Sequence, residues 1–216
     1  MIRKIILILG ISFISISAFA QNSDTKEENR DNRTWINENY KKSFPYPITL
    51  GVYGFYDAAW ASNSGYTSDT VNCGGGAITA KLSFFKWLAI ALDISYSGGS
   101  IDYGNGLKED VGTFLFSPMV VFQWETLRQQ AGFAPFLGIG ISIADNKVKG
   151  IYTDYYGDKY IYIVNKSGIG FIMNAGLNYN FKNNVFIGGR FDYSASSFGS
   201  GTMNNVRIGI QSGYRF

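Results

Sequence analysis

Val206-Arg207-Ile208-Gly209-Ile210-Gln211-Ser212-Gly213-Tyr214-Arg215-Phe216 ends the sequence, and its alternation decides the fold. Val206, Ile208, Ile210, Tyr214 and Phe216 fall on one parity, and Asn205, Arg207, Gln211 and Arg215 on the other. Successive side chains of a strand point to opposite faces, so this is a strand with an apolar and a polar side. Working back, the pattern recurs. Val185, Ile187, Phe191 and Tyr193 oppose Gly188, Arg190, Asp192 and Ser194, while Ile169, Phe171, Met173, Leu177 and Tyr179 oppose Gly168, Gly170, Asn174, Gly176 and Asn178. Phe133, Leu137, Ile139, Ile141 and Ile143 oppose Gly138, Gly140, Ser142 and Ala144.

Four earlier segments complete the series. Phe114, Phe116, Val120, Phe122 and Trp124 oppose Thr113, Ser117 and Gln123; Leu88, Ile90, Leu92, Ile94 and Tyr96 oppose Asp93 and Ser95. Ile78, Leu82 and Phe84 oppose Thr79, Lys81 and Ser83. In the first segment Ile48, Leu50, Val52, Tyr56 and Trp60 oppose Thr49, Gly51, Asp57 and Ala59, together with Tyr53 and Phe55. A soluble sandwich or lipocalin-like barrel also alternates, but its outer face carries many charges. Here the polar parity is mostly Gly, Ser and Asn, too small and sparse for a solvated exterior. The reading is all-β: an eight-stranded antiparallel up-and-down transmembrane β-barrel, apolar wall outward and polar side chains inward.

The links orient it. Those after the second, fourth and sixth strands are short, around Phe85-Lys86, Thr126 to Gly132 and Lys182-Asn183-Asn184. Those after the first, third, fifth and seventh run Ala61 to Thr70, Gly98 to Asp110, Asn146 to Lys166 and Phe198 to Met203. Short periplasmic turns and long outer loops place both termini in the periplasm of a bacterial outer membrane. Aromatics fall where the interfaces belong: Phe84, Trp87, Trp124, Phe133, Tyr179, Phe181 and Phe216 at one end, Trp60, Tyr96 and Tyr193 at the other.

The beginning of the sequence agrees. Arg3 and Lys4 precede an apolar stretch from Ile5 to Ile16, and Ala18-Phe19-Ala20 follows, so residues 1–20 read as a secretory signal peptide. Residues 21–46, dense in charge, read as a polar periplasmic segment, and residues 47–216 as the barrel. Removing Arg3 and Lys4 leaves 17 basic against 16 acidic residues, a balance that does not favour nucleic acid as a partner. The single cysteine, Cys73, reads as a small packing residue.

With these residues the chain resembles the small OmpA/OmpX-like outer-membrane β-barrel family, over residues 47–216. The terminal strand and the run Ala134-Pro135-Phe136-Leu137-Gly138-Ile139-Gly140 carry the resemblance. It implies that Tyr214 and Phe216 are the signal read by the barrel-assembly machinery. The chain departs from the family pattern at Gln211, where a glycine is expected; the nearby glycine is Gly213.

The sequence contains no histidine. Ser–His hydrolysis and His/Cys metal sites therefore cannot be built, and no catalytic group, cofactor or metal site is expected. A carboxylate calcium site near Asp154 and Asp158 is compatible with the spacing, which does not demand it. The inward charges Asp57, Lys81, Asp93, Arg190, Asp192, Arg207 and Arg215 read as a paired interior network, with Asp57 facing an arginine where the first and last strands meet. Tyr152, Tyr155, Tyr156, Tyr160 and Tyr162 cluster in the third outer connection, which reads as a hairpin turning near Gly157-Asp158 and leaning on the first or second outer loop, with some of its tyrosines buried in that contact and the rest exposed. Two readings of those tyrosines stay open, packing within the hairpin or contact with a surface protein or glycan. Two functions follow: a non-enzymatic structural or surface-interaction barrel, or a narrow pore or lateral path for small or hydrophobic solutes beside the glycine-lined faces of the fifth and sixth strands. Lipid of the outer membrane is the expected surrounding of either.

Overall fold

The computed structural model describes residues 48–63, 66–67, 70–102, 107–127, 130–153, 159–199 and 201–216. Residues 1–47, Asp154, Tyr155, Tyr156, the turn at Gly157-Asp158 and the side chain of Tyr152 lie outside this description. The described elements are strands: β1 (Ile48–Asn63), the two-residue β2 (Tyr66–Thr67), β3 (Val71–Phe85), β4 (Leu88–Asp102), β5 (Leu107–Gln123), β6 (Gly132–Thr153), β7 (Lys159–Asn180), β8 (Val185–Phe198) and β9 (Gly201–Arg215). Eight long strands pair with their sequence neighbours, and β9 pairs antiparallel with β1, which closes the barrel.

The register measures the closure. From Val52 the pairing runs through Ile78, Ile94, Phe116, Ile143, Ile169, Ser197 and Thr202, and returns to β1 at Ser62, ten residues beyond its start. With eight strands, that stagger tilts them by about 40° and leaves an interior that side chains can fill. Both the start of β1 and the end of β9 lie at one end, since Thr49 pairs with Arg215; this end is called the terminal rim and the other the distal rim.

The parity read from the sequence holds around the wall. Val52, Ile78, Ile139, Ile169, Ile187 and Ile210 are exposed, whereas Tyr53, Asp57, Asp93, Asn174, Arg190 and Arg207 are buried. Two outward-parity side chains differ. Phe116, flanked in register by Ile94 and Ile143, is only 2 % exposed, and Leu82 is also buried. The terminal rim carries a dense aromatic girdle: Phe85 stacks on Trp87, Tyr179 meets Phe133 and Phe181 edge-on, and Tyr214 meets Phe216. The turn between β7 and β8 is held by Asn184 at φ 71°, a conformation asparagine tolerates.

At the distal rim the strands take up residues read as outer links: β4 continues to Asp102 and β5 resumes at Leu107, which the sequence did not lead one to expect, and β6 and β7 stay in register to Thr153 and Lys159, where a hairpin was expected. The surplus residues are taken up as sheet, since alternating β-branched and aromatic residues favour a paired strand over open coil. At the terminal rim, by contrast, residues 124–127, 130 and 131, between β5 and β6, belong to no strand. Cys73 is buried with Val71 and Val111 in an apolar cluster near the distal rim, against which Ile101, Val148 and Met203 pack.

Candidate functional site

Two regions hold the candidate residues: the lumen and the raised sheet above the distal rim.

In the lumen every charge singled out from the sequence has a partner of opposite sign. Asp57 of β1 and Arg207 of β9 are paired in register across the closure, and the guanidinium Nε donates to Asp57 Oδ2 at 3.2 Å. Ser97 donates to the same oxygen at 2.7 Å, and Arg207 Nη1 donates to Ser95 at 2.8 Å. Arg190 bridges two carboxylates: Nε donates to Asp192 at 2.6 Å and Nη2 donates to Asp93. The inward aromatics of β1 complete these sites. Arg207 lies over the Phe55 ring at 4.7 Å and Arg190 over the Tyr53 ring at 4.9 Å, while the Tyr53 hydroxyl donates to the Arg190 carbonyl. Ring faces attract cations, so β1 supplies both a carboxylate and two platforms to its neighbours.

Lys81 and Arg215 share a partner that sequence reasoning missed. Glu125, in the link after β5, turns into the terminal mouth, where Lys81 reaches it at 2.9 Å and Arg215 at 3.4 Å. Asn180 donates to it at 2.6 Å, Arg215 and Asn180 both bond Thr126, and Lys81 also donates to Gln123. Burial opposes ionisation of Glu125, but the charge and hydrogen bond of Lys81, then the charge of Arg215, hold its carboxyl below the usual range. Glu125 stands two residues beyond the strand, outside the alternation, so periodicity held no signal for it. The excess of interior cations at that end, Lys81 and Arg215, was the available hint.

The interior glycines do not leave a path beside the charges. A side chain at Gly138 would meet Asn174, one at Gly140 would meet Met119, and one at Gly176 would meet the Phe136 ring. Neighbouring side chains already lie across those positions. What remains is a small cavity of about 40 Å³ bounded by Thr49, Asp93, Met119, Phe136, Asn174 and Gln211, among others.

Above the distal rim the barrel is lopsided. β6 and β7 each run 22 residues and stay paired to Thr153↔Lys159, and β5 pairs with β6 as high as Leu107↔Tyr152. β8 has 14 residues and joins β7 only from Ser197↔Ile169 downward. The hairpin strands thus stand within a taller sheet of β4 to β7, with β5 paired beside them. Both hairpin tyrosines whose side chains are described are exposed, Tyr160 by 55 % and Tyr162 by 39 %. The Tyr162 ring lies over Gly150, its partner in register, and its hydroxyl donates to Glu109 of β5.

No protein-family model and no curated protein matches the chain. Among solved structures it is similar to Neisserial surface protein A, at 17 % identity over 77 % of this chain and 97 % of that one, with TM-score 0.50. The chain has the fold of the eight-stranded outer-membrane barrels. Similarity extends to OprG of Pseudomonas aeruginosa (12 % identity, 81 % and 98 % of the two chains, TM-score 0.49). It extends also to the attachment invasion locus protein Ail of Yersinia pestis (16 % identity, 78 % and 97 %, TM-score 0.49). In this outer-membrane-barrel fold the terminal aromatics Tyr214 and Phe216 sit at the terminal rim, both exposed, and the Phe216 N–H donates to the Ile48 carbonyl at 2.8 Å beside the closing pair of strands.

Proposed function

We propose that the chain is a non-enzymatic outer-membrane barrel, with both termini periplasmic, that holds its β4–β7 sheet above the membrane for contact with a surface protein or glycan. The observation that carries this reading is the contrast between the two ends. The lumen is crossed by three sets of paired charges and its terminal mouth is occupied by Glu125, while β6 and β7 rise well past the end of β8 with exposed aromatic and aliphatic side chains. Tyr160 and Tyr162 belong to that surface; Tyr152, Tyr155 and Tyr156 join it in the proposal by sequence position. The filled lumen weighs against the pore alternative, since the charges that would line a water path are engaged with one another.

Tyr214 and Phe216 serve, in the same reading, as the signal to the barrel-assembly machinery. Deleting Phe216 then lowers the amount of heat-modifiable barrel recovered from outer membranes. The main test joins two measurements: planar-bilayer conductance of the purified barrel, and binding of whole cells to host matrix proteins and glycans with residues 150–162 replaced by a short turn. Steady single-channel conductance, or cell binding unchanged by the replacement, would sink the proposal.

A further inference from the structure

The outward face of the wall changes character at one height on β6 and β7. On β6 every outward residue from Phe133 to Ile143 is apolar, and on β7 every outward residue from Tyr179 to Ile169. A tilted strand gains roughly 2.5 Å of height per residue, so each run rises about 25 Å, the height of the apolar band of a transmembrane barrel. Directly above it stand Asp145, Lys147 and Lys149 on β6, and Ser167 and Asn165 on β7. Apolar outward residues resume higher still, at Ile151, Ile161 and Ile163.

The polar band lines an open groove of about 650 Å³, together with Tyr96 of β4 and Asp110 and Gly112 of β5. Lys147 lies in register between Gly112 and Asn165. Gly112 offers no side chain on that flank, and the Tyr96 hydroxyl lies across it, since a Cβ there would meet the phenol oxygen. Lys149, the next outward residue, pairs in register with Asp110 and Ile163. The lumen cations are all ion-paired, whereas neither Lys147 nor Lys149 is so among the described residues. Asp145 accepts a hydrogen bond from the Ser167 hydroxyl at 3.2 Å.

We propose that this groove binds the phosphate of a phosphorylated glycolipid in the outer leaflet. Lys147 and Lys149 pair with the phosphate, and the Tyr96 hydroxyl and the Asn165 amide donate to it, since charge-assisted hydrogen bonds to phosphate are the strong ones. Asp110 and Asp145 make the groove neutral in sum, which suits a phosphate that brings a divalent counter-ion; the carboxylates supply oxygen ligands to that ion. Position selects the occupant. Acyl chains lying against Ile141, Ile143 and Ile169 carry their headgroups to this height, and lysine beside such a layer is drawn to anionic lipid. The inference rests on the orientation in the reading above, with the distal rim outward, and not on its surface partner.

The test mixes the detergent-solubilised full-length barrel, in magnesium, with diphosphoryl lipid A or with the same lipid dephosphorylated. Native mass spectrometry counts the retained lipid. Expected is saturable retention of the diphosphoryl form, at least tenfold stronger than of the dephosphorylated one and undisturbed by excess inorganic phosphate. Lys147→Gln with Lys149→Gln should weaken it at least tenfold, and Lys147→Arg with Lys149→Arg should keep it. Lys159→Gln, at the tip of β7, should change nothing, and heat-modifiability shows that each variant is folded. Chelating magnesium should weaken retention by the parent but not by Asp110→Asn with Asp145→Asn. Equal retention of the two lipids, or undiminished retention by the Gln pair, would overturn the site. Displacement by inorganic phosphate would overturn its lipid source, and retention indifferent to magnesium would overturn the role given to the carboxylates. A protease site placed at residues 154–158 separates the site from the reading beneath it. If intact cells protect that site, the orientation fails and the groove's role with it; if it is cut and the lipid is not retained, only the headgroup site fails.

Discussion

The two halves of β7 share one strand and one alternation but live differently. From Ile169 to Asn180 the strand has β6 on one side and β8 on the other. Its inward residues, Asn174 and Asn178 among them, are buried, and its outward residues form part of an aliphatic wall. From Lys159 to Ser167 the same alternation continues, yet every residue is exposed, because β8 has ended and no lumen remains to fill. A pattern of side chains thus states that a strand exists and which way its residues face. How many neighbours it has decides whether those faces are packed, and whether its backbone is open to a partner.

The contrast can be strained first where burial is greatest. Arg190→Met leaves Asp93 and Asp192 in the lumen without their shared cation, and is expected to cost toward the upper end of the roughly 3–5 kcal/mol for breaking a buried pair. Urea unfolding in lipid vesicles measures it, and a loss below about 1 kcal/mol would mean that water already reaches this layer. Replacing Asp93 and Asp192 by Asn in the same variant should recover part of the loss, since neutral amides need no counter-ion.

A smaller effect is expected on the lower half of β7 itself. Gly170→Val places a side chain against the backbone carbonyl of Ala195 on β8, which cannot swing away. Overpacking of this kind costs about 1–3 kcal/mol. A neutral outcome would show that β8 slides freely on β7, and the lower half would then be as loosely held as the upper.

Acid titrates the terminal mouth. The Glu125 carboxyl is held below its ordinary value by Lys81 and Arg215 against the opposing effect of burial. Its contribution to stability is therefore complete above the unfolded value of about 4.3 and is lost as pH falls through the lower folded value. Glu125→Gln should be less stable than the parent at neutral pH, and the gap should close on acidification below about pH 4. A gap that persists undiminished into strong acid would show that packing of the link, and not its charge, holds the mouth.

The smallest effect is expected beside the upper half. The atoms nearest a methyl at Gly150 belong to the Tyr162 side chain, which is partly exposed and can turn aside, so Gly150→Ala should change stability by less than about 0.5 kcal/mol. A loss as large as that at Gly170 would reveal a rigid upper sheet and erase the difference between the halves.

Parity, strand number and closure were legible in the sequence, because a period of two is a property of the strand alone and an even count of segments brings first and last together. The pairing of Asp57 with an arginine across that closure followed from the same reasoning; that it is Arg207 depended on the register, which puts them directly opposite. Three features needed the tertiary structure. Glu125 has no periodic position, and only the inward turn of its link brings it to Lys81 and Arg215. The interior glycines read as open space, yet they are small because side chains from adjacent strands already occupy that space. The step between β7 and β8 depends on where a hairpin stops relative to its neighbour, a comparison between strands that no single segment contains. The sequence by itself determined which side of each strand meets hydrocarbon and which meets the lumen. The tertiary structure decided which charges pair, what fills the gaps, and where the wall ends, because those depend on atoms brought together across strands by closure of the barrel.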